Sequence, residues 1–149
     1  MRIFVDTNII SELLEARSQV DYVDRIFAEA ERNQWTRVLS VGSFYTLTFL
    51  IERFLRHKGI GQPQLVEQQR SILIPILENF EIKDLDRNKL LCGVSDPRFQ
   101  DLEDSYQYQA AVNAQCSVLL TINKIDFKNV KGDEIVIVTP QEFIEKYLV

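Results

Sequence analysis

Four aspartates stand where a chain could use them for chemistry. Asp6 closes the mostly apolar run Arg2-Ile3-Phe4-Val5. Asp101 and Asp104, three residues apart, open an Ala- and Gln-rich stretch, and Asp126 follows the apolar run Ser117–Leu120 by a few residues. Taken singly, each is what a turn or a helix N-terminus uses: Asp6, Asp101 and Asp104 as caps, Asp126 as a turn former. Jointly that account weakens, because carboxylates converging without a cation raise one another's pKa and destabilise their site. A hard, oxygen-seeking cation removes the conflict. Magnesium or manganese suits a chain that offers acids, a single histidine and two unpaired cysteines; zinc does not. One or two such ions can activate water and stabilise the leaving oxygen in phosphodiester hydrolysis, and no side chain then needs to titrate near neutral pH. Thr7, Asn8, Thr121 and Asn123 flank the acids, suited either to orienting them or to ordinary turn and cap work.

The elements that must position these residues are legible as alternating strands and helices. Arg2–Val5 reads as a first strand, buried on both faces, with its polar residue at the carboxyl end. Ile9, Ile10, Leu13 and Leu14, then Val20, Val23, Ile26 and Phe27, recur at helical spacing and predict two helices. A second strand is expected over Arg37–Val41, and a third helix on Phe44, Leu47, Leu50, Ile51, Phe54 and Leu55, stopped by Lys58-Gly59-Ile60-Gly61. Pro63 opens a further helical stretch through Leu65, Ile72, Ile76 and Leu77, where Pro75 predicts a kink or break. A short strand over Phe80–Leu85 and a brief helix over Asn88–Cys92 follow, then the turn Ser95-Asp96-Pro97-Arg98 and a helix from Leu102 to about Ala114. Strands over Ser117–Leu120 and Glu134–Val138 flank a loop or helical turn at Asn123–Phe127. A closing helix over Pro140–Tyr147 carries the N-terminal signal Thr139-Pro140-Gln141-Glu142. This alternation predicts one α/β domain over residues 1–149, three-layer α/β/α, with a central, mostly parallel, five-stranded sheet. In such sheets the functional crevice lies outside the carboxyl ends of the strands, where Asp6 is placed.

Composition narrows the classes of function. The chain has 149 residues, 46% hydrophobic and 26% charged, an ordinary globular balance and enough chain for one core. No apolar stretch approaches the roughly 20 residues of a membrane span, and the N-terminus meets an acid at Asp6, so neither a span nor a signal peptide is expected. Cys92 and Cys116 lack Cys-x-x-Cys spacing and read as packing thiols of a cytoplasmic protein. His57 lies between Arg56 and Lys58, which leaves carboxylates to carry the chemistry. The net charge of −5 counts against an extended nucleic-acid binder, but less against an enzyme that grips phosphate through a cation. Arg53, Arg56, His57 and Lys58 are either ordinary last-turn cations or a phosphate-gripping rim. Trp35, Tyr45, Tyr106 and Tyr108 are either core residues or base-stacking ones.

Asp6-Thr7-Asn8 after an apolar strand, Asp104 opening an Ala-containing helix, and Thr121-Ile122-Asn123-Lys124-Ile125-Asp126-Phe127 together resemble the PIN domain, in order and over nearly the whole chain. Asp101-Leu102-Glu103-Asp104-Ser105-Tyr106-Gln107-Tyr108 is similar to a bacterial subgroup with an acidic doublet at this helix start. The resemblance implies a magnesium- or manganese-dependent ribonuclease, commonly dimeric, and in many bacterial members a toxin neutralised by a small antitoxin. It also implies Asp6, Asp104 and Asp126 as metal ligands, Asp101 as an additional one, and Asn8 and Asn123 as residues that steady them. The chain departs from the family at Thr46, which stands where a glutamate is usual, within Ser40-Val41-Gly42-Ser43-Phe44-Tyr45-Thr46-Leu47. Glu52, six residues on, points elsewhere around the helix; Asp101 or Glu103 is expected to restore the charge, with Asp101 favoured because it can face with Asp104. The departure leaves a second reading, a PIN-fold RNA- or protein-binding regulatory module with impaired catalysis. A phosphorylated receiver-like domain fits less well, since Asp6 has no acidic neighbour and the last strand runs into Thr139-Pro140 without a lysine.

Overall fold

The computed structural model describes residues 1–131 and 135–148. The strands are β1 (Arg2–Val5), β2 (Thr36–Ser40), β3 (Glu81–Lys83), β4 (Val118–Leu120) and β5 (Val136–Val138). All run parallel in the order β3-β2-β1-β4-β5, with Phe4 paired to Val38 on one side and Leu119 on the other. The helices are α1 (Thr7–Leu14), α2 (Val20–Arg32), α3 (Val41–His57), α4 (Gln64–Asn79), α5 (Arg87–Ser95), α6 (Leu102–Asn113) and α7 (Pro140–Tyr147), with a 3-10 turn at Lys124–Phe127.

Strand periodicity divides the core into two layers. Ile3, Val5, Leu39, Val118, Leu120 and Val138 face one way, against Ile9, Ile26, Leu47 and Phe143 of the helices. Phe4, Val38 and Leu119 face the other way, against Phe99, Phe127 and the Tyr108, Ala110 and Ala111 stripe of α6. Both sheet faces are covered, which is why β1 and β4 read as continuous apolar runs and not as alternating ones. The expected three-layer α/β/α architecture with a five-stranded sheet is what forms. Among the described residues no helix is long and apolar enough to cross a membrane.

The differences from the sequence reading lie at element ends and have local causes. Val41 starts α3 instead of ending β2, because the Ser40 hydroxyl accepts from the Ser43 amide at 2.9 Å and caps the helix there. The brief helix at Asn88–Cys92 extends over Arg87–Ser95, since Asp86 caps it through the Lys89 amide at 2.9 Å. Pro75 does not break α4. Ser71, whose carbonyl loses its partner there, is exposed, so water can replace the missing N–H. Glu134 lies outside the described residues, and the last strand covers Val136–Val138. Cys116 is buried, and burial pushes its thiol up to about 11; Cys92 is exposed, contrary to the reading of both as packing thiols. Thr139 and Glu142 form the capping box at the start of α7.

One packing contact is close enough to test. A Cβ added at Gly93 of α5 would lie 2.7 Å from Tyr106 Cδ1 of α6. Alanine gains roughly 1 kcal/mol in a helix interior, but the overlap costs about 1–3 kcal/mol. Gly93→Ala is expected to lower the melting temperature, and an unchanged or raised midpoint would show that α5 is not held against that ring.

Candidate active site

Strand order reverses between β1 and β4, the place where open parallel sheets bind ligands. Asp6 leaves β1 there and Thr121 leaves β4. Asp6 is 6% exposed and caps α1. Its Oδ1 accepts from the Thr7 amide at 2.7 Å and Gln107 Nε2 at 3.3 Å. Its Oδ2 accepts from Thr121 Oγ1 at 2.7 Å and Asn8 Nδ2 at 3.2 Å. Burial raises the pKa of this carboxyl; the bonds from Thr121, Gln107 and Thr7 pull it back down, and the charge of Asp126 adds to the rise. Asn8 also staples the two strand ends, because its Oδ1 accepts from the Ile122 amide at 3.2 Å. Asn123 enters through its backbone alone, its amide donating to Thr121 Oγ1 at 3.2 Å.

A hydroxyl and amide network extends from Asp6 to the start of α3. Gln107 Nε2 lies 3.1 Å from Thr7 Oγ1 and 2.5 Å from Ser43 Oγ, and Gln107 Oε1 accepts from Ser40 Oγ at 2.6 Å. Thr7 Oγ1 and Ser43 Oγ are themselves 2.7 Å apart. Sequence reading missed Gln107, Ser40 and Ser43. The available signal was spacing, since Gln107 is three residues beyond Asp104 on one helical face. Replacing Gln107 by Met keeps the volume but removes the amide that donates to Asp6, Thr7 and Ser43 and accepts from Ser40, which at a buried site costs about 1–3 kcal/mol. Gln107→Met is expected to lower the denaturation midpoint accordingly; no loss would mean that the network re-pairs without it.

The other acids gather beside Asp6. Asp101 caps α6, its Oδ1 accepting from the Glu103 amide at 2.8 Å and the Asp104 amide at 3.3 Å. Asp101, Asp104 and Asp126 line one cleft of about 240 Å³, with Arg98 and Lys128 on its rim. The half-buried Asp104 is pushed up to about 7, first by burial and then by the charges of Asp101, Asp126, Asp6 and Glu103. Glu103 is raised by burial, Asp101 and Asp6. Asp104 therefore feels the charge of four other carboxylates, and the five come from three segments.

The family model for the PIN domain matches residues 2–125. The chain belongs to the PIN domain family. Among curated proteins, none matches the sequence. Solved structures give the same fold at low identity. A chain of VapBC2 from Rickettsia felis, bound to a DNA fragment from the promoter, is 17% identical with a TM-score of 0.66, covering 93% of this chain and 98% of that one. A chain of a toxin-antitoxin complex from Klebsiella pneumoniae is 18% identical with a TM-score of 0.65, covering 93% and 97%. A chain of VapBC-1 from nontypeable Haemophilus influenzae is 18% identical with a TM-score of 0.66, covering 95% and 99%.

PIN-domain nucleases typically use divalent metals, and the donor set here matches a hard cation in its chemistry: all-oxygen ligands whose mutual repulsion a positive charge would relieve. Among the described residues, no three His, Cys, Asp or Glu side chains stand close enough to share one ion. That is compatible with magnesium, which is commonly held through one or two carboxylates and keeps several waters.

At the PIN domain's point of departure, Thr46 lines a second cavity, and the carboxylates that share this cavity with it are Asp84 and Glu103; Asp101 lines the neighbouring cleft. Glu52 is turned to Arg56, at 3.2 Å. The basic cluster is no rim of the crevice: α3 starts at the crevice and runs 17 residues, roughly 25 Å, before Arg56 and His57. There Lys58 sits 4.4 Å above the Phe54 ring. Of the four aromatics, Trp35 packs edge-on to Phe143 and Tyr108 lies buried against Phe99, whereas Tyr45 and Tyr106 face the second cavity.

Proposed function

We propose that this PIN domain is a divalent-metal-dependent endoribonuclease that hydrolyses RNA phosphodiester bonds, with magnesium or manganese drawn by Asp6, Asp104, Asp126 and Asp101, one or two of them bonding the ion directly and the others through its waters. The observation that carries the reading is the gathering of Asp101, Asp104 and Asp126 in one cleft, outside the carboxyl ends of β1 and β4 where Asp6 is placed. A fold gains nothing from setting a half-buried carboxyl among four other acids unless a cation joins them. A divalent ion there supplies Lewis-acid polarisation of the phosphodiester and activation of water. The chain's own groups fix the geometry. The four donors on Asp6 hold both its oxygens, and Asp101 anchors the first turn of α6 so that Asp104 lines the cleft. Lys128 offers positive charge to a phosphate on the rim, whereas Arg98 beside it is already paired with Asp96 at 2.7 Å.

The reading extends to biology: a cytoplasmic toxin, homodimeric and paired with a protein antitoxin. Its support is the family membership and the fold shared with chains of VapBC and of a toxin-antitoxin complex. Thr46 favours a second reading, a regulatory module that binds RNA or protein and cuts poorly. Incubation of the protein with a mixed single-stranded RNA pool, with manganese and with chelator, separates them. Cleavage that needs manganese supports the nuclease. A manganese-induced rise in melting temperature without cleavage supports the module.

A further inference from the structure

A cavity of about 320 Å³ opens at the carboxyl ends of β2 and β3, between α3, α5 and α6. Ligand pockets run from about 300 to 1,000 Å³, so this one is sized for a single small group. Its floor touches the network that holds Asp6: Ser43 and Gln107 both line it, and Gln107 Nε2 is 3.3 Å from Asp6 Oδ1. One wall carries Glu103, the neighbour of Asp104. The first turn of α6 thus borders both the cavity and the acidic cleft.

We propose that this cavity takes one unpaired nucleobase of the RNA strand whose phosphate lies in the acidic cleft, stacked on Tyr45 and Tyr106 and recognised through its exocyclic amino group by Asp84 and Glu103. The proposal rests on the ribonuclease reading and adds its specificity. Single-stranded RNA is recognised by splaying bases onto aromatic side chains and bonding their edges. Tyr45 is 69% exposed at the mouth, far more than packing needs. Tyr106 is held in place for the task, because Gly93 lets its ring lie flush on α5, where a Cβ would come within 2.7 Å of it. A wall that is already ordered loses little freedom on binding. On the polar side of the cavity stand two carboxylates, Asp84 and Glu103, which accept hydrogen bonds and donate none, beside Lys83, which can donate to a ring nitrogen of the same base. Cytosine and adenine present amino groups to such acceptors, and uracil presents only carbonyl oxygens beside its ring N–H. Thr46 keeps the cavity open where a longer side chain would enter it.

The test is fluorescence anisotropy of 5′-labelled hexaribonucleotides with the full chain, with chelator present so that hydrolysis does not intervene. Oligo(A) and oligo(C) are expected to bind about tenfold more tightly than oligo(U). In oligo(A), one abasic substitution among the six positions is expected to cost about tenfold. Tyr45→Ala, at an exposed position where folding is not at stake, and Thr46→Met, which fills the space, are each expected to produce the same loss. In the Tyr45→Ala protein the abasic site should cost nothing further. Equal affinity for the three oligonucleotides, or losses from Tyr45→Ala and the abasic site that simply add, would overturn the proposal. So would a dimer that Tyr45→Ala turns into monomer on size exclusion, since a second copy would then cover the cavity. Parallel cleavage with manganese keeps the two readings apart. Base-selective binding without cleavage leaves the cavity standing and sinks the nuclease; cleavage without base selectivity does the reverse; neither binding nor cleavage sinks both.

Discussion

Asp104→Asn is expected to reduce manganese-dependent cleavage of single-stranded RNA at least about a hundredfold, because even the outer partners of a metal ligand are worth about 10- to 100-fold. The substitution keeps shape and removes the charge at the position that lines the cleft with Asp101 and Asp126 and feels all four other acids. Asp21→Asn, on the exposed first turn of α2, makes the same charge change far from the crevice and is the control. Both proteins should be compared at matched purity, with chelator as a further arm. A variant at Asp104 that cuts as fast as the parent would remove this residue from the site. The loss of cutting together with the loss of the manganese-induced melting shift would assign the defect to the ion.

The same substitution is expected to stabilise the metal-free protein, opposite to the usual sign for a change at a helix start. The folded pKa of Asp104, about 7, lies above its ordinary 3.8, so between those values the folded state holds more protons than the unfolded one. This group's contribution is therefore fully present below about pH 4, declines as pH rises toward 7 and stays lost above it. A shift of that size corresponds to at most about 4 kcal/mol, and solvent screening at a half-exposed position reduces it. Asparagine also forfeits the favourable dipole interaction, roughly 0.3–1 kcal/mol. The expected net gain at pH 8 without metal is about 1–3 kcal/mol, read as a higher urea midpoint for Asp104→Asn. At pH 4 the two proteins should converge. Saturating manganese should reverse the order, because only the parent has the charge to hold the ion. A variant less stable than the parent at pH 8 in chelator would show that the acids do not strain the fold.

The two effects share one cause. A group that is costly in the free protein and needed when a cation is present marks a place where stability is set aside for function. Asp6 is the contrasting member: its four donors offset part of the cost of its burial whether or not a cation is near, so its position is the more firmly fixed.

The apolar runs of β1 and β4, the helical spacing of Ile9, Ile10, Leu13 and Leu14, and the Thr139–Glu142 capping box are local patterns, and they determined the layered α/β fold without help from distance. Asp6-Thr7-Asn8, Asp104 and the Thr121–Phe127 block likewise pointed to the PIN domain, because short segments at strand ends carry their setting with them. What only the tertiary structure decided was partnership. Gln107 meets Asp6 across 101 positions of sequence and Ser43 across 64, and no periodicity announces a buried amide. Glu103, not Asp101, shares a cavity with Thr46, because capping α6 commits Asp101 to two backbone amides. The basic cluster falls at the far end of α3, and only two of four candidate aromatics reach the crevice. Patterning along a chain encodes which face of an element is buried, whereas hydrogen bonds and charges act between side chains that only the packed fold brings within a few ångströms of each other.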